Sequence, residues 1–220
     1  MQIVIADILK PDDLAAVHAA LANTRFIDGR ETAGFAARMV KDNRQADARD
    51  GTLDPVRRLV ASRIMENELF RMAARPKALS PLLFSRTETG MQYGTHVDDA
   101  LMGSMRTDVS FTLFLDAPES YDGGELVIES AAGDDAIKLP AGSMIVYPAT
   151  TLHRVSQVTR GQRHVVAGWA RSFIRDAARR ELLFDLDTAK RTIFAREGKS
   201  PEFDLIAKSL ANLLRMWAED

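Results

Sequence analysis

The apolar residues of this chain keep three successive rhythms. Over residues 1–77 the spacing is helical, after a short strand at Ile3–Ile5. Leu14, Val17, His18 and Leu21 recur three or four residues apart, behind Pro11, Asp12 and Asp13, which suit a first helical turn. Val56, Leu59, Val60, Ile64 and Leu69 predict a second helix over about 54–72. Between them, "KDNRQADARDG" is polar throughout and reads as an exposed loop. From about 78 to 174 the rhythm turns to short β-rich runs broken by Gly, Pro and Asp: "PLLFSRTETG", "VSFTLFLDAP", "GGELVIES", "SMIVYPAT", "QRHVVAGWARSF". Many short strands without intervening helices predict an antiparallel sandwich or barrel. Beyond 175 the helical spacing returns. Ser200 is placed to cap a helix that Pro201 and Glu202 begin, and Ile206, Leu210, Leu213 and Trp217 form an apolar stripe expected to pack on the sheet.

The division is therefore a mostly helical support region at 1–77, a β-rich domain at 78–174 and a helical extension at 175–220. The fold is mainly β with flanking helices. Composition narrows the function. The 220 residues are 46% hydrophobic and 27% charged with a formal charge of −2, which offers no basic field for nucleic acid. There is no cysteine, so thiol chemistry and disulfides are excluded, in keeping with a cytoplasmic location. No apolar run reaches membrane-spanning length, and no secretion signal is read at the start.

Candidate chemistry begins at "YGTHVDDA", residues 93–100. In an extended chain successive side chains alternate faces, so His96 and Asp98 share one and Asp99 points away. An imidazole and a carboxylate side by side are two ligands for a transition metal. Of the three other histidines, His18 lies in a helical stripe and His164 alternates with Val165, Ala167 and Trp169, which leaves His153, opening a β-run after a Pro-containing turn. Two histidines and one carboxylate make the facial triad of non-haem iron(II) oxygenases. Arg163 follows His153 by ten residues, across the turn "TRGQ". In a neighbouring strand about 5 Å away, its guanidinium suits the far carboxylate of 2-oxoglutarate.

The stretches "GMQYGTHVDDALM", "RTDVSFTLFLDAPESYDGGELVI", "IKLPAGSMIVYPATTLHRVSQVTRGQRHVVAGWARSFIRD", "LLFDLDTAK" and "NLLRMWAE" resemble the PKHD-type hydroxylases, iron(II)- and 2-oxoglutarate-dependent dioxygenases of the prolyl 4-hydroxylase-like group. The resemblance implies a double-stranded β-helix (jelly roll) core within 78–174. It assigns His96, Asp98 and His153 to Fe(2+) and Arg163 to 2-oxoglutarate, with L-ascorbate as a candidate reductant. It departs at Thr87, where relatives commonly carry a tyrosine; Tyr93 keeps the pattern. The implied reaction consumes O2 and 2-oxoglutarate, releases succinate and CO2, and hydroxylates an amino acid, a peptide or a small metabolite. A homo-oligomer is left open. Two other readings stand beside it: a non-catalytic iron- or 2-oxoglutarate-binding sensor or structural subunit, and a cupin-like metal isomerase.

Overall fold

The computed structural model describes residues 1–220. The chain starts with β1 (Ile3–Ile5), α1 (Pro11–Ala22), β2 (Phe26–Asp28), β3 (Lys41–Asp42) and β4 (Arg44–Ala46). Two helices follow, α2 (Asp54–Glu66) and α3 (Glu68–Ala74), where the spacing predicts one; Asn67 adopts an extended conformation and its side chain caps α3 by accepting from the amide of Phe70. Next come β5 (Pro76–Leu79), β6 (Leu83–Glu88), β7 (Gln92–His96), the small pair β8 (Leu101–Met102) and β9 (Met105–Arg106), and β10 (Val109–Phe114). The series continues with β11 (Asp122–Gly123), β12 (Leu126–Ser130), β13 (Gly133–Ile137), β14 (Met144–Pro148), β15 (His153–Val155), β16 (Val158–Arg160) and the long β17 (Gln162–Ser172). Helices α4 (Ala177–Glu197) and α5 (Pro201–Trp217) close the chain.

Every strand pairing is antiparallel. The larger sheet runs β1-β14-β10-β17-β6-β4-β2, with β5 also on β17; the smaller runs β13-β12-β15-β7-β3. The arrangement is a jelly roll, and its strands show why. In β10, Val109, Phe111 and Leu113 join a 21-residue apolar cluster with Val17, Val60, Ile64 and Phe70 from the helices. The alternate residues Ser110, Thr112 and Phe114 face the other way, into the roll. The same alternation puts Met144 and Val146 of β14 on the helix side, and Ile145 and Tyr147 in a second cluster with Leu126, Ile128 and Val165. Period-2 patterning thus has two buried faces to satisfy, one dry and one partly polar. Gly168 of β17 is opposite Phe111, and a Cβ there would sit 2.4 Å from the phenyl ring, so glycine is what admits the aromatic.

Two expectations need correction. The segment "KDNRQADARDG" is not an exposed loop. Its first half forms β3 and β4, and Lys41, Asn43, Gln45 and Asp47 are all buried. Polar residues at every second position are the mark of a strand whose inner face lines a polar pocket, and a search for apolar alternation passes over it. Strands β1 to β4 consequently tie the first 77 residues into both sheets. The stripe on α5 packs not on the sheet but on α4: Leu210, Leu213, Leu214 and Trp217 cluster with Leu183, Leu186 and Ile174. Ser200 caps α5 as expected, accepting from the amide of Phe203. No helix is long and apolar enough to cross a membrane.

Candidate active site

Strand pairing brings the first two candidates together. β7 and β15 are adjacent, and His96 stands directly opposite His153. Each imidazole is held through Nδ1 by a carbonyl two residues earlier in the chain, Gly94 for His96 at 2.9 Å and Thr151 for His153 at 3.0 Å. That bond fixes the tautomer with Nδ1 as donor and leaves Nε2 as a lone-pair donor facing the interior. Asp98 lies just beyond the end of β7. Its Oδ1 is 4.0 Å from Nε2 of His96 and 3.8 Å from Nε2 of His153, too far for hydrogen bonds. One donor atom from each of the three residues falls within a 4.8 Å group. Three lone-pair donors aimed at one another without hydrogen atoms between them would repel, and a shared cation removes that repulsion. The donor set of two imidazoles and a carboxylate suits a divalent transition metal.

Further residues steady this group. Ser110 of β10 donates its hydroxyl to Oδ2 of Asp98, which turns Oδ1 toward the histidines. Tyr93 stacks on His96 with ring centroids 3.7 Å apart and planes 12° apart. Tyr147 meets His153 edge-on at 5.2 Å. Burial and the neighbouring His153 hold His96 down at a pKa of about 4, so its ring is neutral near pH 7 and ready to ligate. Burial also raises the pKa of Tyr93 and Tyr147, and both phenols keep their protons.

Arg163 opens β17 beside Thr87 of β6 and is 2% exposed. Its guanidinium lies 5.3 Å from the Phe114 ring centre, and neither Nε nor Nη2 has a hydrogen-bond partner. The hydroxyl of Tyr121, likewise buried, is also unpartnered. Gly124, at φ +68°, lets the chain lie against this pair; a Cβ there would stand 3.0 Å from Cδ of Arg163. Gly123 and Gly124 carry the chain from β11 into β12 rather than closing a hairpin, because β11 pairs with β16. A buried guanidinium with open donors is costly unless an anion completes it. Burial lowers the affinity of Arg163 for its proton, and an anion is what would restore it. A dicarboxylate fits on this ground: one end at the donor group, the other at Arg163, both of which line one pocket.

The remaining candidates are not part of the donor group, although Asp99 lines the same pocket. Asp99 is exposed and is not in the donor group; its backbone carbonyl accepts from Thr107. His164 bonds Asp116, and His18 bonds the carbonyl of Leu115, on the helix side of the sheet. The same pocket is lined by residues the sequence reading passed over: Lys41 on β3, Asn43 between β3 and β4, Gln45 on β4, Ser110 and Thr112 on β10, and Tyr147 on β14. The signal for Ser110 and Thr112 was present as two hydroxyls alternating with apolar residues in "VSFTLFL". Lys41 is 5% exposed, its ammonium lies 5.2 Å over the Tyr93 ring, and burial lowers its pKa to about 8 against the opposing pull of Asp98.

Comparison with known proteins gives the family of the chain. Residues 82–171 match the 2OG-Fe(II) oxygenase superfamily, and residues 176–219 match the PKHD-type hydroxylase C-terminal domain. A PKHD-type hydroxylase of Acaryochloris marina is 51% identical over 219 residues, covering 100% of both chains. Among solved structures, a Pseudomonas putida prolyl-4-hydroxylase superposes with a TM-score of 0.52 at 20% identity, over 78% of this chain and 92% of that one. HygX from Streptomyces hygroscopicus, with nickel and 2-oxoglutarate bound, gives 0.57 at 13% identity, over 79% and 84%. These two share the fold. The chain belongs to the PKHD-type hydroxylases: it is a 2-oxoglutarate-dependent hydroxylase that uses Fe(2+) and 2-oxoglutarate.

Proposed function

We propose that in this PKHD-type hydroxylase His96, Asp98 and His153 hold the iron and Arg163 anchors the far carboxylate of 2-oxoglutarate, for the hydroxylation of an amino acid, a peptide or a small metabolite. The observation that carries the reading is the pairing of a three-donor group with an unpartnered buried guanidinium in one pocket. When bound, iron(II) supplies the activation of O2 coupled to oxidative decarboxylation of 2-oxoglutarate, with succinate and CO2 as products.

The chain's own residues set the conditions. The carbonyls of Gly94 and Thr151 keep both imidazoles in the tautomer that offers Nε2. Ser110 holds Asp98 so that one oxygen only faces the histidines. Arg163 orients the cosubstrate by its planar fork, and Phe114 and the Thr87 side of β6 limit where that fork can swing. Thr87, 2% exposed, is too short to take over the reach of a tyrosine. Tyr93 and Tyr147 cover the two imidazoles and keep water from them. The non-catalytic alternative has no observation in its favour.

The test has two readings. Anaerobic titration with iron(II) should give one site per chain, lost in Asp98→Ala and His153→Ala. Succinate formed from 2-oxoglutarate in the presence of O2 should accompany it, and a protein that binds iron yet forms no succinate would overturn the enzymatic reading of this site.

A further inference from the structure

The pocket contains two buried cations, and the proposed chemistry employs only one. Arg163 lies on β17 of the larger sheet. Lys41 lies on β3, the edge strand of the smaller sheet, on the far side of the Tyr93–His96 stack. Its only side-chain hydrogen bond is to Oγ1 of Thr32, at 3.2 Å, and no carboxylate lies within ion-pair distance. An ammonium has three donors, so two are open. Asp98, the acid that acts on Lys41 most strongly, is committed to the metal in the reading above. Beside Lys41 the wall continues as Asn43, whose Oδ1 is buried and unpartnered, and Gln45. Ala33, Ala37, Val97 and Met102 also line the pocket, together with the exposed Asp99, and Phe35, Met39 and Leu101 on the same two segments are exposed, at 89%, 80% and 60%.

We infer that Lys41 anchors an anionic group of the primary substrate, so that the molecule hydroxylated is an organic acid with an apolar body. The inference rests on the iron and 2-oxoglutarate reading of the pocket and adds to it a second anion. The acid group passes inward to the open ammonium donors of Lys41, where one charge-assisted bond fixes it. The apolar body remains between the 33–40 and 97–102 segments. A carbon of that body is thereby held beside the metal group, since Tyr93 contacts both Lys41 and His96. Position follows from the same geometry: the oxidised carbon is a short distance from the acid, not at the remote end of the chain.

The experiment uses the full chain loaded with Mn(II) and saturating 2-oxoglutarate, without O2, and two probes of equal shape, 3-phenylpropanoate and 3-phenylpropanamide. Paramagnetic relaxation of the probe protons reports binding near the metal. The acid should bind about tenfold more tightly than the amide, the order of one charge-assisted contact. Lys41→Met and Lys41→Gln should abolish that preference while leaving amide binding and 2-oxoglutarate affinity within about threefold. Equal binding of acid and amide to the wild-type protein overturns the inference even if neither variant folds. A large loss of 2-oxoglutarate affinity in the Lys41 variants also overturns it, by assigning Lys41 to the cosubstrate. Failure of the wild-type protein to bind 2-oxoglutarate in a metal-dependent way sinks the reading beneath it, a result separate from the other two.

Discussion

The two faces of the larger sheet are built from the same strands and do opposite work. On the helix side, Val109, Phe111 and Leu113 meet Phe70 and Ile64 in an apolar cluster with almost no polar atoms. On the pocket side, the alternating residues are Ser110, Thr112, Thr87 and Arg163, buried as deeply, and Arg163 has donors left open. The first face stores stability, and the second gives some of it up to hold a charge that only a ligand completes. A single-residue shift in register would exchange the two faces, so the fold and the site share one determinant.

The contrast can be tested by substitution on either face. Phe111→Ala removes a ring packed edge-on to Phe70 and should lower unfolding free energy by about 3–5 kcal/mol. Its iron stoichiometry in the remaining folded protein should be unchanged; loss of iron at a temperature where the chain is folded would show that the faces are not independent. Arg163→Met should act in reverse. Its 2-oxoglutarate affinity should fall by about 2–5 kcal/mol, roughly 30- to 5,000-fold. The ligand-free protein should melt at or above the wild-type temperature, because an unpartnered buried cation has been replaced by an apolar side chain. A drop in ligand-free melting temperature would mean that Arg163 has a stabilising partner within the protein. Ser110→Ala should weaken iron binding by about tenfold, the lower end for loss of a bond to a ligating carboxylate, with little change in 2-oxoglutarate affinity at saturating iron. Asp99→Asn should give the smallest effect, within about 0.5 kcal/mol in both stability and iron binding, since the carboxylate is exposed and outside the donor group. An iron defect as large as that of Asp98→Asn would place Asp99 in the site.

The legibility of each part follows from its physics. Strands such as "VSFTLF" and "MIVYP" announce themselves because one face must be apolar, and His96 and Asp98 could be paired because extended backbone alternates. His153 and Arg163 emerged through scarcity, there being only four histidines, and through a turn between them. Lys41, Asn43 and Gln45 did not, because a strand that lines a polar pocket at the sheet edge has nothing apolar to betray it, and polar residues there look like any loop. The partner of the α5 stripe was equally out of reach, since an amphipathic face says that it will be covered but not by what.

Strand β17 bears on how the molecule comes into being. It bonds β10 on one side, β6 on the other and β5 at its end, and so closes the larger sheet across about 50 to 95 residues of chain. Until it arrives, β10 and β6 have exposed edges and Arg163 has no pocket. β15, which sets His153 opposite His96, precedes it by only a few residues. During synthesis the first 150 residues therefore leave the ribosome without His153, and the three-donor group is complete only when about seven-tenths of the chain has emerged.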